Sequence, residues 1–265
     1  MAHTRPLLIG VSTKMYLGYR ASLDWMASVA EAAAARPQLA DRGVTVFVIP
    51  SYPVLESAVR LLRPAGVTVG AQDVSTGEGA LTGEVSAGIL AEMGVRLVEV
   101  GHAERRRLFG ETDAVVAAKT HAALAAGLTP LVCVGEAERA DPAQTVSVVV
   151  DQCLAAVSAT DNAGTADLDR LGRIVVAYEP IWAIGAAEPA PAAYVNEVVA
   201  GIRAQLADRS GGTPPPIVYG GSAGPGLLAS LPEVDGLFLG RFAHDPANVA
   251  VVLDEALAAR APVVE

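Results

Sequence analysis

The sequence predicts an α/β fold in which eight parallel strands close into one (β/α)8 barrel. Short runs rich in Val, Ile and Leu recur eight times along the chain, and Ala-rich segments of helical period separate them. Such alternation is typical of right-handed βαβ units, whose strands are apolar throughout because helices cover both faces of the sheet. An open doubly wound sheet usually stops at about five or six strands and begins with a Gly-x-Gly-x-x-Gly turn, which does not follow the first strand here. A closed barrel therefore fits the repeats better than an open sheet.

Each predicted strand is a short apolar run. In chain order the strands are Leu7–Val11, Thr45–Ile49, Val67–Ala71, Leu97–Gly101, Leu131–Val134, Ile174–Tyr178, Ile217–Tyr219 and Gly236–Leu239. Between them the clearest helical periods, several with Ser or Asp at a cap position, are Ser22–Arg36, Asp113–Ala126, Ala192–Asp208 and Pro246–Ala259. The polar stretch Ala159–Arg173 is interpreted as a surface connection into the sixth strand.

Length and composition predict one domain over residues 1–265. A chain that is 52% hydrophobic can bury a large core, and no linker divides it. The net charge of −10 argues against a nucleic-acid or acidic-membrane partner, since both require a concentrated basic face, and the apolar runs are too short for a membrane helix. Cys133 and Cys153 are too few for a disulfide framework, and no apolar signal segment precedes the first strand, so a cytoplasmic protein is expected. The histidines show no metal-ligand spacing.

Polar residues follow most of the predicted strands at the end where such a barrel places its functional site. They are Lys14 after the first strand, His102 and Glu104 after the fourth, Glu179 at the end of the sixth, Gly220-Gly221-Ser222 after the seventh and Gly240-Arg241 after the eighth. Glu179 precedes Pro180, which restricts it to an extended backbone and aims its carboxylate. Each of these residues alone has an ordinary structural interpretation as a hydrogen-bonded histidine, a rim ion pair or a turn. Their joint placement at one rim predicts a shared site.

The motifs built on these residues resemble those of triosephosphate isomerase over nearly the whole chain, in family order and at family spacing. They are Thr13-Lys14-Met15, Gly70–Ser75, Gly79–Glu84, Gly101–Arg106, Cys133–Glu136, Tyr178–Gly185, Tyr219–Ser222 and Val234–Gly236. The resemblance implies a TIM barrel that interconverts dihydroxyacetone phosphate and D-glyceraldehyde 3-phosphate through an enediolate. It also implies a role in glycolysis and gluconeogenesis, with no metal and no organic cofactor.

The resemblance implies a catalytic role for each of four residues. Glu179 is the base that carries a proton between adjacent carbons, and His102 is the electrophile at the carbonyl oxygen, neutral because a helix N-terminus lowers its pKa. Lys14 adds positive charge beside the developing oxyanion, and Glu104 pairs with Lys14 or positions it.

The resemblance also implies a phosphate site and a partner. The substrate phosphate is expected among the backbone N–H groups of Gly185, Ser222, Gly240 and Arg241. A lid that begins at Pro180 closes over it, because a free enediol phosphate readily loses its phosphate. The loop after the third strand, with Gln72 before it and Thr82 within it, reaches a partner subunit in this family and so implies a homodimer.

Several positions depart from the family pattern. The asparagine two residues before the catalytic lysine is Ser12, a substrate-binding candidate, and the serine after the catalytic histidine is Ala103. The lid tip, usually Gly-Thr-Gly-Lys, is Gly185 to Glu188 with Ala187 at the second glycine, which would cost about 1 kcal/mol if the closed lid needs a left-handed φ there. The second glycine of the phosphate site is Arg241, whose side chain either supplements phosphate binding or crowds it. These changes predict an altered or enlarged pocket around a retained proton-transfer core.

Three functions remain open from the sequence. Triosephosphate isomerase is the leading hypothesis, because the base, the electrophile and the lysine persist. The alternative is an isomerase of a four-carbon ketose phosphate such as L-erythrulose 1-phosphate, for which Ser12 in place of a larger amide makes room. The third is a phosphate-ligand-binding barrel with little catalysis, its lid impaired by Ala187 and Glu188.

Overall fold

Eight parallel strands form a closed barrel in the computed structural model, which describes residues 5–158, 167–210, 212 and 214–260. The strands are β1 Leu7–Ser12, β2 Val44–Ile49, β3 Thr68–Ala71, β4 Leu97–Val100, β5 Thr129–Val134, β6 Val175–Tyr178, β7 Ile217–Tyr219 and β8 Gly236–Leu239. Each strand pairs in parallel with the next, and β8 pairs with β1 to close the sheet. The predicted fold class is confirmed, and every predicted strand lies within two residues of the observed one at either end.

Helices follow the strands and pack against their neighbours around the sheet. They are α1 Tyr19–Ala34, α2 Gln38–Asp41, α3 Leu55–Leu62, α4 Ala87–Met93, α5 Ala103–Phe109, α6 Asp113–Ala125, α7 Pro142–Ala156, α8 Ala192–Ser210 and α9 Pro246–Ala259. Side-chain caps begin several of them: Ser86 accepts the N–H of Ile89, and Asp245 that of Ala247. The prediction that α1 starts at Ser22 is wrong by three residues, because Ser22 lies buried in the first turn rather than at the cap.

Alternate residues of each strand fill the interior of the barrel. This inner layer is apolar and contains Leu8, Phe47, Ile49, Leu97, Leu131, Cys133, Val175, Ala177, Val218 and Phe238. Glu99 stands two residues beyond Leu97 on β4, so its side chain points to the same interior, one layer nearer the carboxyl ends of the strands. A carboxyl group therefore replaces a hydrocarbon at the top of the barrel core.

A buried network of charges ties the segment after β3 to α5 and α6. Lys119 lies 2.7 Å from each carboxylate oxygen of Asp73 and 2.5 Å from Glu111 Oε1. Arg105 Nε contacts the same two acids at 2.8 and 2.5 Å. Two acids thus meet two bases, and each acid contacts both of them.

Only part of the predicted surface connection into β6 is described. Residues 159–166 lie outside the described residues, and 168–173 form 3-10 turns with Leu171 fully buried. Among the described helices, none combines the length and the apolar character needed to cross a membrane.

Candidate active site

One cavity of about 960 Å³ opens at the carboxyl ends of the strands and collects the predicted site residues. Its lining includes Ser12, Lys14, Glu99, His102, Glu104, Glu179, Gly185, Ser222, Gly240 and Arg241. Residues from the two ends of the sequence meet there because parallel strands direct all their carboxyl ends to one rim. The convergence predicted from the strand order is therefore present in the structure.

Glu179 projects from the end of β6 into this cavity and is only 7% exposed. Its Oε2 lies 3.6 Å from His102 Nε2, and its Oε1 is buried with no hydrogen-bond partner among the described residues. Neighbouring glycines make room for it: a Cβ at Gly220 would lie 2.5 Å from Glu179 Cγ, and one at Gly135 would lie 2.0 Å from its carbonyl oxygen. The carboxylate is thus held in place by the backbone around it and keeps one oxygen free for a ligand.

His102 caps the N-terminus of α5. Its Nδ1 accepts the backbone N–H of Glu104 at 3.1 Å, so the neutral ring that keeps this hydrogen bond carries its hydrogen on Nε2 and directs it toward Glu179. Burial lowers the pKa of His102, but the carboxylates of Glu179 and Glu99 outweigh burial and raise that pKa to about 9.

These two carboxylates act against the low pKa that the family resemblance implies for His102. Glu179 makes the largest of the contributions that raise the pKa of His102. Because that contribution depends on the negative charge of Glu179, the pKa of His102 must fall once Glu179 accepts a proton. The protonation states of base and electrophile are thus coupled.

Lys14 is held by side chains from three other segments. It has a left-handed φ of 47°, uncommon for a residue with a side chain. Its carbonyl accepts hydrogen bonds from Gln72 Nε2 at 2.8 Å and Ser51 Oγ at 2.7 Å, which stabilise this backbone, and its ammonium lies 2.5 Å from Glu104 Oε1. The predicted contact of Lys14 with Glu104 is present. Gln72 supports Lys14 of its own chain, whereas Thr82 is exposed in the loop after β3.

Ser222 connects the loop after β7 to the lid. Its hydroxyl donates to the carbonyl of Ala183 at 3.1 Å and contacts that of Ala186 at 2.8 Å. Its φ of 58° is left-handed, so this turn is fixed in an uncommon conformation. The residue predicted to contact the phosphate therefore also contacts the segment predicted to form the lid.

Arg241 follows Gly240 at the end of β8 and reaches the lid from the other side. Its Nη2 donates to the carbonyl of Gly185 at 2.7 Å. Gly185 has a left-handed φ of 74°, whereas Ala187 is not among the described non-glycine residues with positive φ. The strain expected at Ala187 is thus absent from this lid conformation, and Arg241 is engaged with the lid backbone.

The base of the lid is anchored in the barrel wall. Trp182 Nε1 donates to Glu136 Oε1 at 2.7 Å, and the hydroxyl groups of Tyr178 and Tyr194 contact the same carboxylate. These contacts fix the first turn of the segment that is predicted to form the lid.

Glu99 is the site residue that sequence reasoning missed. Its Oε2 accepts a hydrogen bond from Ser12 Oγ at 3.1 Å, and Cys133 Sγ lies 3.9 Å from its Oε1. Burial raises the pKa of Glu99 to about 7, with His102 acting in the opposite direction. A signal was available, since a glutamate interrupts the otherwise apolar strand Leu97–Val100 three residues before His102.

The arrangement suits proton transfer between neighbouring carbons. A carboxylate, an imidazole and an ammonium group face one small cavity, which can take a proton beside a carbonyl and stabilise the resulting oxyanion. Among the described residues, no group of three or more His, Cys, Asp or Glu side chains is placed to hold a metal ion. The barrel and this set of groups define a (β/α)8-barrel isomerase.

Comparison with known proteins agrees with this class. A sequence model of the triosephosphate isomerase family matches residues 7–256. An L-erythrulose-1-phosphate isomerase of Pectobacterium atrosepticum is 49% identical over 256 residues, covering 96% of both chains. A triosephosphate isomerase of Herpetosiphon aurantiacus is 42% identical over 248 residues, covering 89% of this chain and 93% of the other. The solved triosephosphate isomerase of Bartonella henselae superposes with a TM-score of 0.79 at 27% identity, over 96% of this chain and all of the other.

The chain belongs to the triosephosphate isomerase family. The predicted resemblance is thereby confirmed over nearly the whole sequence. Relatives at 49% and 42% identity carry names with different substrates, so membership identifies an isomerase and leaves its sugar phosphate as a separate question.

Proposed function

We propose that this protein is an isomerase of a four-carbon ketose phosphate of the L-erythrulose 1-phosphate type. The observation that carries the proposal is its greater identity to the Pectobacterium enzyme of that name than to the Herpetosiphon triosephosphate isomerase, at higher coverage of this chain. Ser12 adds local support, because a small residue lines the cavity where the family pattern has a larger amide. The four-carbon alternative therefore takes precedence over the triose phosphate that the sequence alone favoured.

The proposed reaction moves a carbonyl between two inner carbons. L-erythrulose 1-phosphate has its carbonyl at C2, and C3 carries both a hydroxyl and the terminal hydroxymethyl group. Glu179 takes the C3 proton, the electron pair of that bond forms the C2–C3 double bond, and the C2 oxygen becomes an enediolate oxygen. His102 donates from Nε2 to that oxygen, and Lys14 lowers the energy of its negative charge.

The second half returns the proton. Glu179 delivers it to C2, while His102 takes the hydrogen of the C3 hydroxyl and supplies one to the C2 oxygen, so that C2 bears a hydroxyl and C3 becomes the carbonyl. One C–H bond breaks and another forms, and no oxidant or reductant is consumed. Because C3 is not a terminal carbon in this sugar, the product is again a ketose phosphate, in contrast to the aldose formed from a triose.

The phosphate end is proposed at the lid. Backbone N–H groups of Gly185, Ser222, Gly240 and Arg241 are candidates for phosphate contacts, and the Arg241 guanidinium adds positive charge at the same end. This local positive charge explains how a chain of net charge −10 attracts a dianion.

We also infer a cytoplasmic homodimer. Met15 is 89% exposed beside the site, and Leu81 in the loop after β3 is 41% exposed, as expected for apolar residues that a partner covers. Both cysteines are free and buried, which suits a reducing compartment. Light scattering should give twice the 27.1 kDa chain mass, and a monomer mass would contradict the dimer.

The test is a kinetic assay of L-erythrulose 1-phosphate and dihydroxyacetone phosphate side by side with the same enzyme preparation. We expect a kcat/KM for the four-carbon sugar at least about tenfold higher, within the usual enzyme range above about 10⁴ M⁻¹s⁻¹. The reverse preference would support the second candidate, triosephosphate isomerase, which the family match favours. Turnover of neither sugar would instead support a phosphate-binding barrel.

A further inference from the structure

The top of the barrel core carries a carboxyl group that the proton-transfer mechanism does not use. Glu99 is 4% exposed and sits among apolar strand residues, yet it lines the cavity together with Ser12, Lys14 and Glu179. Base, electrophile and ammonium group account for the enediolate chemistry without it. A carboxyl group in this position is costly to bury unless its oxygens have donors.

The donors that Glu99 has are few and weakly polar. Ser12 Oγ–H reaches Oε2 at 3.1 Å, and the Cys133 thiol lies 3.9 Å from Oε1. No Lys, Arg or His nitrogen lies within 4 Å of it in the described part of the chain. A carboxylate can accept about four hydrogen bonds, so Glu99 keeps acceptor capacity toward the cavity that it lines.

The four-carbon sugar brings one additional donor. Compared with dihydroxyacetone phosphate, it carries a hydroxymethyl group on the reacting carbon farthest from the phosphate. With the phosphate at the lid and the reacting carbons between Glu179 and His102, this group extends toward the end of the cavity away from the lid. A hydroxyl taken from water into such a site requires a partner, and the pair of Ser12 and Glu99 offers both space and an acceptor.

We propose that Ser12 and Glu99 form the binding site of the terminal hydroxyl group of the substrate. The Glu99 carboxyl group accepts the hydrogen of that hydroxyl, and Ser12 fixes the carboxyl group while leaving room for the additional carbon. The pair thus determines specificity for four carbons over three. This assignment rests on the proposed function, since a triose phosphate has no terminal hydroxymethyl group for Ser12 and Glu99 to bind.

The experiment compares two substrates that differ only in this hydroxyl: L-erythrulose 1-phosphate and its 4-deoxy analogue. In the wild-type enzyme, kcat/KM should fall on the order of 100-fold when the hydroxyl is absent, because a buried acceptor is then left unpaired. In Glu99→Leu, which restores an apolar layer, the two substrates should differ by less than about fivefold. Glu99→Gln, which keeps the shape and one carbonyl acceptor, should give an intermediate ratio.

Dihydroxyacetone phosphate distinguishes binding from a general electrostatic effect. If Glu99 serves only to tune His102, Glu99→Leu lowers kcat/KM for all three compounds by the same factor, and the proposal is overturned. Asp235→Asn is the matched control: it alters a buried carboxylate at the opposite rim, where Arg203 binds it at 2.7 Å, and should change thermal stability but not the hydroxyl preference.

The two proposals fail in different ways. A wild-type enzyme that prefers the triose phosphate contradicts the proposed function. If the wild-type enzyme prefers the four-carbon sugar, the proposed function stands. If the Glu99→Leu variant then discriminates against the 4-deoxy analogue as strongly as the wild type does, the role of Ser12 and Glu99 is refuted.

Discussion

Two groups of buried charged residues in this barrel differ in how their carboxylates are paired. In the network beside α6, Asp73 and Glu111 each contact both Lys119 and Arg105, at 2.5 to 2.8 Å. At the cavity, Glu179 and Glu99 share the surroundings of a single imidazole, 3.6 Å from Glu179, and Glu179 Oε1 has no partner among the described residues.

This difference in pairing distinguishes charged groups that stabilise the fold from charged groups that serve the functional site. Asp73 and Glu111 each contact two cations, which neutralise their charge and tie the segment after β3 to α5 and α6. Glu179 and Glu99 are buried with no Lys or Arg nitrogen within 4 Å among the described residues, which costs stability and leaves both carboxyl groups free to act on a substrate. The acids of the site are therefore distinguished from those of the network by the lack of a Lys or Arg partner, as well as by their position at strand ends.

The largest effect is expected from Glu179→Gln, which removes the base but keeps its shape. We expect kcat to fall on the order of 10³- to 10⁴-fold, because the amide that replaces the carboxylate cannot take the proton. Affinity for an inert phosphate analogue should change little, since the analogue is held by the lid end. Steady-state kinetics and calorimetry check this, and a variant that keeps half its activity would refute the role of Glu179.

Lys119→Met tests the paired network. It leaves Asp73 and Glu111 with Arg105 alone, so the free energy of unfolding should fall by about 3 to 5 kcal/mol, while kcat of the folded enzyme changes little. Urea denaturation measures the loss, and Lys119→Arg, which keeps the charge, is the control. A loss of activity without a loss of stability would show that this network serves catalysis and not stability, contrary to the prediction.

Glu99 predicts how stability varies with pH. Its pKa is raised from 4.5 to about 7 in the folded protein, so the folded state binds the proton more tightly than the unfolded state does. Stability present below pH 4.5 is therefore lost as pH rises to about 7, by an amount on the order of 3 kcal/mol. Glu99→Gln should lack this loss. The difference in unfolding free energy between the variant and the wild type should therefore shift in favour of the variant as pH rises from 4.5 to about 7. If the unfolding free energies of the two proteins vary with pH in parallel, burial does not raise the pKa of Glu99.

Arg241→Gly should have the smallest effect. Arg241 is exposed and contacts the lid carbonyl of Gly185, so its removal should weaken substrate binding rather than proton transfer. We expect KM to rise by less than about tenfold and kcat to change less than KM, as measured with the preferred substrate. An unchanged KM would mean that Arg241 takes no part in binding.

The sequence by itself determined the barrel, its strands to within two residues at either end, and the rim at which Lys14, His102 and Glu179 meet. These features follow from local periodicity and chain order, because every parallel strand of a closed barrel sends its carboxyl end to the same side. The family motifs also identified Glu104 as the neighbour of Lys14, a contact that the structure contains.

Only the tertiary structure decided the contacts between the site residues and the direction of their pKa shifts. Ser12 and Glu99 are 87 residues apart in sequence, and Arg241 and Gly185 are 56 apart, so neither contact is visible in a local pattern. The raised pKa of His102 likewise depends on the distances to Glu179 and Glu99 and on the burial of all three groups. Electrostatic energy depends on separation in space and on exclusion of water, and both exist only once the chain has closed into the barrel.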